Sequence, residues 1–235
     1  KLLNVTIASI SMRTAKLLEN GLITEETAEI TVPKTGPKEK ILQLNENYGM
    51  VLGINFEQNR TSIGICNLKN RILDNSVVDK SSNLQKIINI SKKMLHKWAD
   101  RDLLACGVTV VGKVDSESGI SESSLGLFPE NFSIGKYFEE VFKVPVLVQN
   151  NVRAIALAER HYYRDEQTEN FLFLKYGPGL SCALVTGDYL LKGRDNYVGE
   201  IGHTVLSGSY KKCRCGKTGC LEAEISEEAI LEGIN

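Results

Sequence analysis

Between Thr6 and Asn20 apolar side chains return at helical intervals, with Ile7, Ile10, Leu17 and Leu18 joined by Thr14 on one face. Thr6 supplies an N-cap ahead of the run and Gly21 a stop behind it, so the spacing predicts a helix from Thr6 to Asn20. Short β-type runs follow at Leu22–Thr24, Glu29–Val32 and Ile41–Leu44, with a turn at Lys34–Lys38 before the last. A helix followed by a β-hairpin is the layout of a winged helix. An ordinary αββ element packed on a larger domain gives the same pattern.

From Met50 the pattern changes. Val51–Phe56, Arg60–Leu68 and Ile72–Asp74 are β-type runs separated by turn residues, which predicts a meander opening an α/β domain. Leu84, Ile87, Ile88, Met94 and Leu95 keep helical spacing across Asn83–Trp98, and a strand over Cys106–Val111 ends on Gly112. The alternation continues with a helix at Ile134–Phe142, a strand at Val144–Val148 and a helix at Val152–His161. Phe171–Tyr176 and Ala183–Val185 then form strands around the loop Gly177–Leu180. Two α/β halves that each open on antiparallel strands point to a duplicated fold with a cleft between them. The expected divisions are residues 1–47, 48–145 and 146–235.

A chain of 235 residues with 42% hydrophobic and 24% charged residues has enough length for a sizeable core. No run of about 18 apolar residues suggests a membrane span, and no charged segment leads into an apolar signal region, so a cytoplasmic location is expected. Beginning at Lys1 without a methionine, the chain reads as a fragment. Its net charge of −1 gives no global pull toward nucleic acid, so any DNA contact must come from a local surface.

The cysteines divide into two groups. Cys66, Cys106 and Cys182 stand singly in apolar or β-branched runs and are expected in the core. Cys213, Cys215 and Cys220 lie within eight residues, Cys213-Arg214-Cys215-Gly216-Lys217-Thr218-Gly219-Cys220, and His203 precedes them by ten. Glycines permit the tight turns that bring several thiolates onto one ion, and the set Cys3His suits tetrahedral zinc. Four protein ligands leave no open position, which makes the expected zinc structural. A disulfide pair or free thiols in a loop are the other readings of the same residues.

Gly199-Glu200-Ile201-Gly202-His203, followed after a spacer by the cysteine cluster and Leu221-Glu222, resembles the signature of the ROK family of repressors, open reading frames and sugar kinases. The resemblance takes in Gly107–Gly119, Pro145–Asn151 and Gly177–Gly179, and Thr6–Ile23 is similar to the recognition helix of the repressor branch, the xylose and N-acetylglucosamine type. It implies a two-lobed actin-like, ribonuclease H-like α/β fold, preceded by a partial winged helix whose first helix is absent. It implies a sugar in the inter-lobe cleft, held by Asn150, Asn151, Glu200, His203 and Glu222, with a zinc loop on His203, Cys213, Cys215 and Cys220 shaping one wall. For DNA it implies contacts from Ser9, Ser11, Met12, Arg13 and Lys16 on the helix and from Lys38 and Lys40 on the wing, made by a homodimer or higher homo-oligomer.

Departures from the family pattern separate its branches. Where the sugar kinases carry Asp-x-Gly-Gly-Thr for phosphate, this chain has Asn55-Phe56-Glu57-Gln58-Asn59, and the second phosphate loop is Gly177-Pro178-Gly179-Leu180-Ser181. The family's catalytic aspartate is Asn151, an amide that cannot act as a base near neutral pH. Kinase chemistry needs both parts, so the expected protein is not an enzyme but a sugar-responsive repressor of a carbohydrate-utilisation operon. The competing expectations are a catalytically inactive sugar-binding protein without DNA binding and, behind it, an ATP-dependent sugar kinase.

Overall fold

The N-terminal helix forms where the apolar spacing places it. The structure, a computed structural model, describes residues 6–27, 40–79, 83–162, 169–194 and 196–234. Helix α1 runs Ile7–Glu19, and the Thr6 hydroxyl accepts from the Ser9 amide at 3.2 Å as an N-cap. At the other end Gly21, at φ +72°, lets the Gly21 amide reach the Leu18 carbonyl and the Leu22 amide the Leu17 carbonyl, a Schellman stop. Strands β1 (Ile23–Thr27) and β2 (Lys40–Leu44) pair antiparallel, with Ile23 opposite Leu44 and Thr27 opposite Lys40. The strand expected at Glu29–Val32 and the turn at Lys34–Lys38 lie outside the described residues.

The meander expected after Met50 is β3 (Gly49–Phe56), β4 (Arg60–Asn67) and β5 (Ile72–Asp79). Helix α2 (Leu84–His96) then carries the chain to β6 (Asp102–Val110), which lies parallel to β3. A small hairpin, β7 (Lys113–Asp115) with β8 (Ile120–Ser123), precedes α3 (Ile134–Phe142) and β9 (Val146–Asn150). The sheet order is β5-β4-β3-β6-β9, mixed, with the meander on one side and two parallel strands on the other. Strand β9 pairs with β6, so sheet membership changes after Asn150 rather than at the division expected after residue 145. Pro145 explains where β9 starts: it has no N–H to give the ladder, and its carbonyl instead accepts from the Cys106 amide at 2.9 Å.

The core of the first lobe lies on one face of this sheet, where alternate residues of neighbouring strands come into register. Leu52, Ile54 and Phe56 of β3, Ile63 and Ile65 of β4, and Val108 and Val110 of β6 are buried with Ile87 of α2 and Ile134 and Phe138 of α3. Cys106 is part of this core as expected, and burial pushes its thiol up to about 12, so it stays protonated. Cys182 is also buried, while Cys66 is only half-buried.

The second sheet is antiparallel, β10 (Asn170–Tyr176), β11 (Leu180–Thr186) and β12 (Tyr189–Leu190), reached through α4 (Asn151–Tyr162). Val152 and Ala156 of α4 pack on Ala183 and Val185 of β11 to make a smaller core. A 3-10 turn, Ile201–His203, and helices α5 (Leu221–Ile225) and α6 (Glu227–Ile234) follow in this lobe. No helix among the described residues is long and apolar enough to cross a membrane.

Candidate functional site

The cysteine cluster folds as a knuckle. Gly216 and Gly219 take positive φ, 88° and 83°, which turns the chain so that the Gly216 amide reaches the Cys213 carbonyl and the Cys213 amide the Lys217 carbonyl. The 3-10 turn brings His203 to the same point, and the four ligating atoms of His203, Cys213, Cys215 and Cys220 all lie within 4.8 Å of one another. Cys213 Sγ is 3.6 Å from His203 Nδ1, and Cys215 Sγ is 3.7 Å from Cys220 Sγ. Two ligands about 2.3 Å from one ion at a tetrahedral angle stand about 3.8 Å apart, so these separations are edges of a zinc-sized tetrahedron. They are also too long for a disulfide, whose sulfurs sit about 2 Å apart, and all three cysteines are free. Burial and the facing sulfurs push the Cys220 thiol up to about 12, because thiolates crowd badly without a cation between them. Donor set and spacing both fit a structural metal.

The His203 ring joins that cluster to a cleft. With Nδ1 turned to the sulfurs, Nε2 points to Glu200 Oε2 at 3.9 Å, the arrangement in which a carboxylate orients a metal-bound imidazole. Glu200 follows Gly199, whose φ of +102° and approach to the Cys182 carbonyl leave no room for a side chain. The loop before it is gathered by Arg153 of α4, which is buried and donates to the carbonyls of Asn196 (2.8 Å), Val198 (3.3 Å) and Lys192 (3.5 Å). Sequence reasoning missed Arg153, because nothing local marks an arginine that will pair with carbonyls 39 to 45 residues away.

The cleft itself has a volume of about 570 Å³ and lies between the β3–β4 turn, the end of β9 and the β10–β11 turn. Asn150, Asn151, Glu200, His203 and Glu222 all line it, so the structure brings the five expected sugar ligands together. Their side chains are not equally disposed. Asn150 is occupied: its Oδ1 accepts from the Val152 and Arg153 amides as the cap of α4, and its Nδ2 donates to the Gly112 carbonyl at 2.8 Å. Glu222, only 8% exposed, accepts from the Leu180 amide at 2.9 Å and faces Arg214 at 3.2 Å. Asn151 is 2% exposed, and both polar atoms of its amide lack a hydrogen-bond partner among the described residues. A buried amide is costly to leave unpaired, and of the five cleft residues Asn151 is the one whose amide has both polar atoms without a partner among the described residues.

The two turns that face each other across the mouth are tied. Glu57 of the β3–β4 turn accepts from Lys175 of β10 at 2.8 Å and from Arg60 at 2.5 Å. Burial alone would raise the Glu57 carboxyl, but the hydrogen bonds from Lys175 and Arg60 outweigh it and hold the group below the usual carboxylate range. Beside it Gln58 accepts from Arg214 at 3.2 Å, and Arg214 also donates to the Pro178 carbonyl at 2.7 Å. Asn55, farther in, accepts from the Thr109 hydroxyl at 2.7 Å.

Of the residues expected at DNA, Ser11, Met12, Arg13 and Lys16 lie exposed on α1, with Met12 70% exposed, and Ser9 is half-buried. Lys40 is exposed but paired with Glu25 across the hairpin. Lys38 lies outside the described residues.

Comparison with known proteins gives this arrangement its context. Residues 51–235 match the model of the ROK family. The chain belongs to the ROK family. A xylose repressor from Caldicellulosiruptor bescii is 26% identical over 242 residues, covering 100% of this chain and 60% of its own length. The crystal structure of a ROK family transcriptional regulator, a homologue of the E. coli MLC protein, superposes with a TM-score of 0.81 at 26% identity, over 98% of this chain and 60% of its own. A ROK family glucokinase from Streptomyces griseus, solved with glucose and AMPPNP, reaches a TM-score of 0.65 at 22% identity and covers 78% of this chain and 59% of its own. That last likeness shows the shared fold. This chain spans about three fifths of the length of the curated repressors it matches.

Proposed function

We propose that this chain is the greater part of a sugar-responsive transcriptional repressor of a carbohydrate-utilisation operon, which binds operator DNA through α1 and the β1–β2 hairpin and a sugar in the cleft. The observation that carries the proposal is coverage: the repressor relatives match the chain from end to end, helix and hairpin included, while the glucokinase matches 78% of it. In the cleft, Asn151 meets a sugar hydroxyl with its unpaired amide, and Glu200, His203 and Glu222 supply further hydrogen-bonding groups. His203, Cys213, Cys215 and Cys220 hold a structural zinc that fixes the wall carrying His203 and Glu222.

The protein is not a kinase on this reading. Asn151 provides no base for the attacking hydroxyl, and Glu57 and Gln58 fill the turn that a nucleotide phosphate would approach. Ligand alters DNA binding by its difference in affinity between two arrangements of the lobes, in a homodimer whose two α1 helices address two half-sites.

The test is operator binding by the full-length protein to the DNA upstream of the genes it neighbours, titrated with salt and then with a sugar panel. Phosphate contacts give a steep salt slope, and the effector shifts operator affinity at least several-fold. DNA affinity with no salt slope sinks the repressor and leaves the sugar-binding protein. Sugar-dependent ATP turnover restores the kinase.

A further inference from the structure

The mouth of the cleft contains a charge pattern that the repressor reading does not by itself require. Among the described residues three cations line the cavity, Arg60, Lys175 and Arg214. Each already faces a carboxylate of the protein. Arg60 and Lys175 share Glu57, and Arg214 faces Glu222 at 3.2 Å and Glu228 at 3.9 Å. The lining holds four carboxylates, Glu57, Glu200, Glu222 and Glu227, against those three cations. Filling the metal site does not reverse the sign, because three thiolates outweigh one divalent ion.

Glu57 is the central member. Its side chain is 17% exposed and sits between a lysine from the second lobe and an arginine from its own turn, 118 residues and 3 residues away. A half-buried carboxylate clasped by two cations is the position a ligand phosphate takes in an anion site. Here the anion is built into the chain. A phosphate entering the same cavity would displace Glu57 from both partners or stand beside it unpaired, and like charges that close disfavour binding strongly.

We propose that Glu57 acts as an internal anion that fills the cationic position at the cleft mouth, so that the cleft takes an uncharged sugar and rejects its phosphorylated form. The proposal rests on the sugar-sensor reading for its ligand, but its phosphate arm stands without it. An effector of this class is the sugar as imported without phosphorylation or as released by hydrolysis of a glycoside, before any kinase has acted on it.

The experiment measures binding by calorimetry to wild type and to Glu57→Gln, using inorganic phosphate and matched pairs of each panel sugar with its phosphate ester. Wild type is expected to bind the free sugar at least about tenfold more tightly than the ester and to show no saturable binding of phosphate at millimolar concentration. In Glu57→Gln, Lys175 and Arg60 lose their carboxylate, and affinity for phosphate and for the ester rises at least about tenfold, moving the ratio toward the ester. Wild type binding an ester as tightly as its sugar overturns the proposal and leaves the sensor intact. If neither sugar nor ester binds wild type, the sensor reading fails, and the inorganic phosphate arm still decides: no gain in Glu57→Gln overturns the role of Glu57. Should that variant not fold, the wild-type preference between sugar and ester decides alone.

Discussion

Replacing Asn151 by leucine should push stability and ligand binding in opposite directions. Asn151 is 2% exposed and neither polar atom of its amide has a partner among the described residues, so the free protein carries two buried polar atoms that, on the proposed function, a sugar satisfies. Leaving a buried donor or acceptor unpaired costs about 1–3 kcal/mol, and an apolar group of nearly the same shape removes that cost. Asn151→Leu is therefore expected to stabilise the ligand-free protein by about 1–3 kcal/mol. For a domain of this size each kcal/mol moves the melting temperature by about 2–4 °C, so the rise lies between about 2 °C and about 12 °C. The same change leaves a sugar hydroxyl facing a methyl group, and a site built to hydrogen-bond a hydroxyl loses orders of magnitude in affinity when one side is made apolar. Calorimetric melting with and without sugar reads both effects on one instrument. A variant that melts lower than wild type, or that is stabilised by sugar as much as wild type is, refutes the assignment of Asn151 as the amide held ready for ligand.

Four further outcomes follow from the same geometry. Purified protein should hold about one zinc per chain and Cys215→Ser close to none, with a lower melting temperature, as read by metal analysis alongside melting; a metal-free wild type that melts cooperatively at the same temperature after chelation contradicts the metal centre. On the proposed reading Asn151→Asp supplies a carboxylate where a kinase would need one but leaves Glu57 and Gln58 tied in the β3–β4 turn, so a coupled ATP assay should stay at background with every sugar. Glu57 has a depressed pKa, so the native state binds fewer protons there than the unfolded chain; its tie to Lys175 contributes fully above the usual carboxylate value of about 4.3 and is lost as pH falls through the lower native value. Urea midpoints for wild type and Glu57→Gln should accordingly converge in acid and separate toward neutral pH. Arg101 donates to the Glu46 carbonyl at 3.2 Å and to Asn47 at 2.6 Å, and Arg101→Ala is expected to lose about 1.5–3 kcal/mol in denaturant titration and to loosen the linker ahead of β3.

What was legible in the sequence is what depends on near neighbours. The cap at Thr6 and the stop at Gly21 act within one helical turn, and both stand where the residue types put them. The metal cluster was legible for the same reason, since its ligands fall within 18 residues and its turns need glycines at fixed offsets. The β7–β8 hairpin was not expected, because β7 is three residues long and gives periodicity nothing to work on. Strand β6 begins at Asp102, earlier than the apolar run at Cys106, since its parallel pairing with β3 continues past the buried part. Asn150 shows a signal passed over: an asparagine directly before a helix is an N-cap candidate, and its oxygen is spent on the Val152 and Arg153 amides. The ties of Glu57 to Lys175 and Gln58 to Arg214 join residues 118 and 156 apart, and no local pattern encodes such meetings.

Those long-range ties constrain how a sugar signal could leave the cleft. The segment between the hairpin and β3 is fastened to the first lobe by Arg101 on Glu46 and Asn47 and by Arg71 on Glu46, and the hairpin itself by Lys69 on Gln43 of β2. Arg101 is itself set by its cation–π contact with Trp98, 5.1 Å from the ring. These contacts tie the helix–hairpin to the first lobe, so the proposed switch is placed between the lobes rather than at that joint. On the proposed function, closure around a sugar changes the angle between the two lobes, because Asn151 at the end of β9 and Glu200, His203 and Glu222 of the second lobe line the same cleft. For that angle to reach DNA, the second lobe must hold something that does not travel with its own helix–hairpin. In the proposed homodimer the partner subunit is that reference, and lobe closure then alters the distance between two α1 helices while leaving each tied to its own first lobe.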